Sequence, residues 1–262
     1  MPHLMTSTNP ARAGTVPSAP PLGIGVPGFA HPLLAPAEWA ELLRLARGRA
    51  RPAPGWRAAL HWAVLDVAGG PGVRPDPHCV PAAAQLRDAG VRLLGHLDIR
   101  HGARPPGEVR EEARRFVEWY GVDGFRLDRC PTERSLLPTI RTVTAALRDL
   151  REGAYVVYGH GAHPDPGYAE TADQLVTFRG SWDAYRRAET ADWTAGYPPD
   201  RFCHLVHDVP ATHLDEVLGL ARRRGAGTVY VTDRTERCGA PWESLPGYWD
   251  AFVSRIGPGV SE

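Results

Sequence analysis

Short apolar runs alternate with amphipathic stretches along most of the 262-residue chain. The apolar runs, rich in Val, Leu and Tyr, read as buried strands at 23–29, 61–67, 92–99, 124–128, 154–159, 175–180, 203–209 and 228–233. Between them AEWAELLRLARG, CVPAAAQLRDAG, GEVREEARRFVEWYG, SLLPTIRTVTAALRDLREG and THLDEVLGLARRRGAG place apolar residues three to four apart, and several close on Gly, a common helix stop. After the fifth and sixth runs, DPGYAETAD and SWDAYRRAE leave room for only about two helical turns each. Strand and helix in strict alternation specify parallel crossover units. Eight such units in roughly 240 residues match the size of a (β/α)8 barrel. The chain is therefore predicted to be α/β, a single (β/α)8 TIM barrel over 22–262. An open doubly wound sheet is the competing arrangement, but no glycine-rich dinucleotide fingerprint follows the first strand.

In such a barrel the active site gathers at the C-terminal ends of the strands and in the loops that follow. Parallel strands covered on both faces should stay apolar to the end. These do not: Asp66, His96, Asp98, Arg126, Asp128, His160, Thr177, Arg179, His207 and Asp233 stand at or just beyond strand ends, and Arg129 follows Asp128 directly. Residues two apart on a strand share a face, so His96 pairs with Asp98, Arg126 with Asp128, and Thr177 with Arg179. The second member of each pair is expected at the mouth and the first one layer deeper. Buried charge is costly unless paired, so these groups either neutralise one another or line a polar pocket. A whole ring of them at one barrel end exceeds what packing needs. Neither HLDIRH (96–101) nor HLVH (204–207) sets two imidazoles on one strand face, because residues five or three apart on a strand point to opposite sides. No metal site and no cofactor is expected.

Composition narrows the partners. With 30 basic and 30 acidic residues the chain carries no formal net charge, which argues against nucleic acid or a membrane as partner. Every basic residue is Arg, so positive charge is always presented as a planar fork. Residues 1–21 are rich in Pro, Ser, Thr and Ala and lack an apolar core for export, so they are expected to be a disordered leader on a cytoplasmic protein. Cys79, Cys130, Cys203 and Cys238 form no CxxC pair and are expected to be reduced structural thiols.

Six stretches carry a resemblance: VP with a later HP and W (26–39), GGPG (69–72), LLGHLDIRHGARP (93–105), VEWYGVDGFRLD (117–128), HLVHDVP (204–210) and VYVTDRTERCGAPWESLPGYW (229–249). In order and coverage they resemble the spherulin-4-like family, also called spherulation-specific family 4, whose characterised relatives are (β/α)8 glycoside hydrolases acting on α-1,4-linked galactosamine polymers. The resemblance implies a carbohydrate ligand. In the family pattern the fourth strand ends in Asp-Glu and the sixth in Phe-Glu. Here Asp128 keeps the aspartate, while Arg129 and Arg179 stand at the two glutamate positions. Arginine stays protonated at any working pH and cannot exchange the proton that glycoside hydrolysis requires. Three readings follow. One is a changed glycoside hydrolase with Asp128 and Asp98, on adjacent strands, as its catalytic carboxyls. Another is a carbohydrate-binding pseudoenzyme in which Asp66, His96, Arg126, Arg129, His160, Arg179, His207 and Asp233 hold the ligand, the arginines favouring an anionic one. The last is a cytoplasmic interaction scaffold.

Overall fold

Eight parallel strands close on themselves in chain order: β1 Gly23–Val26, β2 Leu60–Leu65, β3 Leu93–Asp98, β4 Gly124–Asp128, β5 Tyr155–Gly159, β6 Gln174–Ser181, β7 Phe202–His207 and β8 Thr228–Val231. A computed structural model describes residues 22–28, 30–47 and 60–256, so the leader expected at 1–21 lies outside the described residues. Around the barrel run α1 Pro36–Arg47, α2 Cys79–Asp88, α3 Pro106–Tyr120, α4 Leu137–Leu150, α5 Trp182–Arg187, α6 Leu214–Arg223 and α7 Trp249–Arg255. The fold is the expected single (β/α)8 barrel. No helix among the described residues is long and apolar enough to cross a membrane.

Helix α3 shows how the pattern becomes structure. Val109, Ala113, Phe116 and Tyr120 recur at helical spacing and are all buried against the sheet, and Gly121, at φ 62°, ends the helix in the left-handed conformation. Helices are weakest where the sequence allowed only two turns. After β5 a short 3-10 segment, Pro166–Glu170, replaces the helix, because Asp165 accepts the Gly167 N–H at 2.9 Å and prolines interrupt the run. After β6 the helix is only α5, started by Ser181, whose hydroxyl accepts the Ala184 N–H at 3.3 Å.

The end of the barrel away from the strand C-termini is sealed from within. Gly25 leaves the space for Trp62, since a Cβ at that position would meet the indole at 2.4 Å. The buried Trp62 ring donates its N–H to Gln174 Oε1 at 2.8 Å, and Gln174 Nε2 donates in turn to Thr228 Oγ1 at 2.8 Å. Cys79, Cys130 and Cys203 are buried free thiols, whereas the Cys238 side chain lies outside the described residues.

His204, on β7, has its ring nitrogens within 2.7 Å of the Tyr185 hydroxyl and 3.2 Å of the Thr177 hydroxyl. Burial pushes its pKa from 6.5 down to about 3, with His163 and Arg224 acting in the same direction. In the unfolded chain the ring takes a proton near 6.5. The folded state therefore holds its full advantage above that pH and loses it as pH falls towards about 3. Urea unfolding at pH 7 and pH 4 is expected to show a loss that includes roughly 3 kcal/mol from this one group. His204→Gln should flatten that part of the pH dependence, and an unchanged slope would contradict the assignment.

Candidate functional site

At the C-terminal mouth a cavity of about 510 Å3 is lined by Asp66, His96, Arg126, Asp128, Arg179 and Trp242, with His31, Leu34 and Glu243 on its wall. Strand register assembles its floor. β3 and β4 pair with His96 opposite Arg126 and Asp98 opposite Asp128, so the two same-face pairs lie side by side. Arg126, only 3% exposed, forms the layer below Asp128 and donates from Nη2 to Asp128 Oδ1 at 2.8 Å. Its Nε is buried without a hydrogen-bond partner. Arg179 reaches across from β6, with Nη1 3.2 and 3.3 Å from the two Asp128 oxygens and its guanidinium 5.5 Å from the centre of the Trp242 ring.

These contacts fix protonation. Burial alone would raise the Asp128 pKa, but Arg126 and Arg179 outweigh it and hold the carboxyl down at about 2. Burial and Arg126 push His96 below its ordinary range, against the pull of Asp66, whose Oδ2 is 3.9 Å from His96 Nε2. At neutral pH the floor therefore holds an ionised Asp128 between two guanidiniums and an uncharged imidazole. Asp66 also accepts the Gly70 N–H at 2.8 Å, which turns its loop back over the cavity edge.

Asp98 and Arg129 meet each other at the rim. Arg129 grips both Asp98 oxygens in a fork, with Nε at 2.8 Å from Oδ1, and the Arg100 N–H adds a bond at 2.9 Å. Burial raises the Asp98 pKa, yet the Arg129 and Arg100 hydrogen bonds bring it below the usual range. The fork exists because Arg129 adopts φ 50°, turning its side chain back towards β3; Arg100 and His101 have φ 48° and 55°. Each such non-glycine residue costs on the order of 1–3 kcal/mol, and strain of this kind gathers at functional rims.

Other sequence candidates stand elsewhere. His160 shares the parity of Tyr158, whose hydroxyl bonds Thr144 on α4, so it faces the helix layer and packs edge-on to Tyr168 at 4.9 Å between ring centres. Burial pushes it down to about 4. His207 is buried behind Trp242, 5.7 Å between ring centres, with Nε2 3.5 Å from Glu236. Asp233 is exposed and accepts the Gly247 N–H at 3.0 Å, bracing the loop after β8. Sequence reasoning confined to strand ends misses His31, Trp242 and Glu243, which come from the loops after β1 and β8. Their only signal was the HP and GAPWES stretches. Beside His31, the donor atoms of Asp76 and Cys79 complete a potential metal-binding trio within 4.8 Å of one another.

A family model described as spherulation-specific family 4 matches residues 23–256. The chain is 23% identical over 207 residues to Spherulin-4 of Physarum polycephalum, a match that takes in 74% of this chain and 61% of that protein. The structure of Aspergillus clavatus Sph3 in complex with GalNAc superposes with a TM-score of 0.75 at 23% identity, covering 91% of this chain and 98% of that one. A chitinase from Chromobacterium violaceum shares the barrel at a TM-score of 0.51 and 11% identity, covering 91% and 99% of the two chains.

Proposed function

Because the chain belongs to spherulation-specific family 4, we propose that the mouth cavity binds a segment of an oligosaccharide or polysaccharide and leaves its glycosidic bonds intact. The observation that carries this reading is the clamp on Asp128 by Arg126 and Arg179. Glycoside hydrolysis takes a carboxylic acid that still holds its proton, working with a second carboxyl group. A carboxyl held at about 2 has no proton to give at neutral pH. Asp98, also lowered and tied to Arg129, is no better as a donor. The two guanidiniums facing Asp128 cannot substitute, since arginine does not release its proton.

The same groups suit binding. The spare donors of Arg179 match hydroxyl, carbonyl and carboxylate oxygens, while Asp128 and Asp66 accept from hydroxyls. Trp242 offers a flat apolar edge to the ring of a sugar. Two cationic forks disfavour a positively charged chain, so a neutral or anionic glycan is the proposed class. The GalNAc bound to the Aspergillus relative supports a carbohydrate ligand.

Titration calorimetry with neutral, cationic and anionic oligosaccharides tests this. The expected result is saturable binding of neutral or anionic chains in preference to cationic ones, weakened about tenfold by Trp242→Ala, a loss of about 1.4 kcal/mol. Equal or absent binding across the three classes would sink the proposal.

A further inference from the structure

Beside the mouth, the loop after β1 meets the start of α2, and the contact is made of metal-ligating side chains that the glycan site does not explain. His31 Nε2 lies 3.1 Å from Asp76 Oδ1. Asp76 also accepts the backbone N–H groups of His78 and Cys79 at 2.8 and 2.9 Å, which fixes its carboxylate as outer hydrogen bonds fix metal-bound ligands. Cys79 is fully buried beneath it. One donor atom from each of His31, Asp76 and Cys79 falls within 4.8 Å of the others, although His31 is remote in sequence from the other two. Donors on a tetrahedral ion stand roughly 3.3–3.8 Å apart, so the trio needs only a small closure. A fourth donor is at hand: the exposed His78 ring centre lies 5.7 Å from that of His31 at an interplanar angle of 74°. Two imidazoles on one tetrahedral ion hold their ring centres roughly 5 Å apart.

We propose that His31, Asp76 and Cys79, with His78 as the fourth ligand, form a binding site for a divalent ion of the zinc class at the rim of the barrel mouth. The donor set decides the metal. A thiolate and two imidazoles suit zinc or cobalt, whereas magnesium and calcium take oxygen donors. Binding moves one proton off the molecule: the Cys79 sulfur exchanges its hydrogen for the metal. Bound through Nε2, the His31 imidazole carries its hydrogen on Nδ1. The Leu33 N–H, which donates to Nδ1 at 3.2 Å in an exposed contact, then turns to water. Because that thiol proton must leave, affinity rises with pH. Occupied, the ion would tie the loop after β1 to α2 and hold His31 and Leu34 in place on the cavity wall. The site stands independently of what the cavity binds.

Cobalt titration of the full chain is the test, since a cobalt–thiolate bond gives a charge-transfer band in the near ultraviolet. One equivalent of cobalt is expected to produce the band, and zinc to displace it. Cys79→Ser should abolish the band, and His31→Gln should weaken cobalt binding by more than the tenfold to hundredfold typical of outer-shell losses. The His31 variant leaves the buried thiol in place, so it reads out binding even if Cys79→Ser folds poorly. Absence of a band in the wild type, or a band that survives in Cys79→Ser, overturns the proposal.

Discussion

Asp128→Asn is expected to destabilise the protein by about 3–5 kcal/mol and to abolish glycan binding in the same step. The asparagine keeps the shape of the side chain and removes only its charge. Arg126, at 3% exposure, is then left as a buried cation without its counter-ion. Arg179 is 38% exposed at its side chain and can turn towards water, so the penalty falls on Arg126. Urea unfolding at pH 7 measures it. Asp98→Asn provides the contrast, because its partner Arg129 is half-exposed and such a pair contributes at most about 1 kcal/mol. Acid should reproduce the Asp128 effect by a second route. The stabilisation from its lowered pKa is complete above the ordinary value of 3.8 and is lost as pH falls through about 2. A variant as stable as the wild type at pH 7 would mean that the clamp is not a buried ion pair.

The other large effect lies at the opposite end of the barrel. Trp62→Ala is expected to cost about 3–5 kcal/mol through the cavity it opens, with a further roughly 1–3 kcal/mol because Gln174 Oε1 loses its donor. Trp62→Phe separates the two terms, since it keeps most of the volume and removes only the indole N–H. Thermal and urea unfolding of the pair should rank alanine well below phenylalanine, and equal losses would mean that the hydrogen bond, not the packing, closes this end. With the interior filled by Trp62 and its Gln174–Thr228 network, this end of the barrel axis is occupied by the protein's own side chains.

Much of this arrangement was legible in the chain because strand periodicity is strict. The apolar-polar alternation of GFRLD put Arg126 and Asp128 on one face, and β4 spans the predicted residues. The Asp98–Asp128 neighbourhood likewise followed from consecutive parallel strands. What alternation could not show was which face looks inward, and His160 fell on the outer one with Tyr158. Nor does a residue pattern foretell that Arg129 adopts φ 50°, which turns its guanidinium onto Asp98 rather than Asp128. Trp242 and His31 sit in loops, where no periodicity exists. The His31–Asp76 contact joins segments far apart in sequence and forms only when the barrel closes.

The central claim is that the mouth holds a glycan without cutting it. Mass spectrometry of an oligosaccharide after prolonged incubation with a saturating amount of the protein tests this most directly. The oligosaccharide is expected to be recovered at full length from the bound fraction. Shorter products formed by the wild type and missing with Asp128→Asn would contradict it.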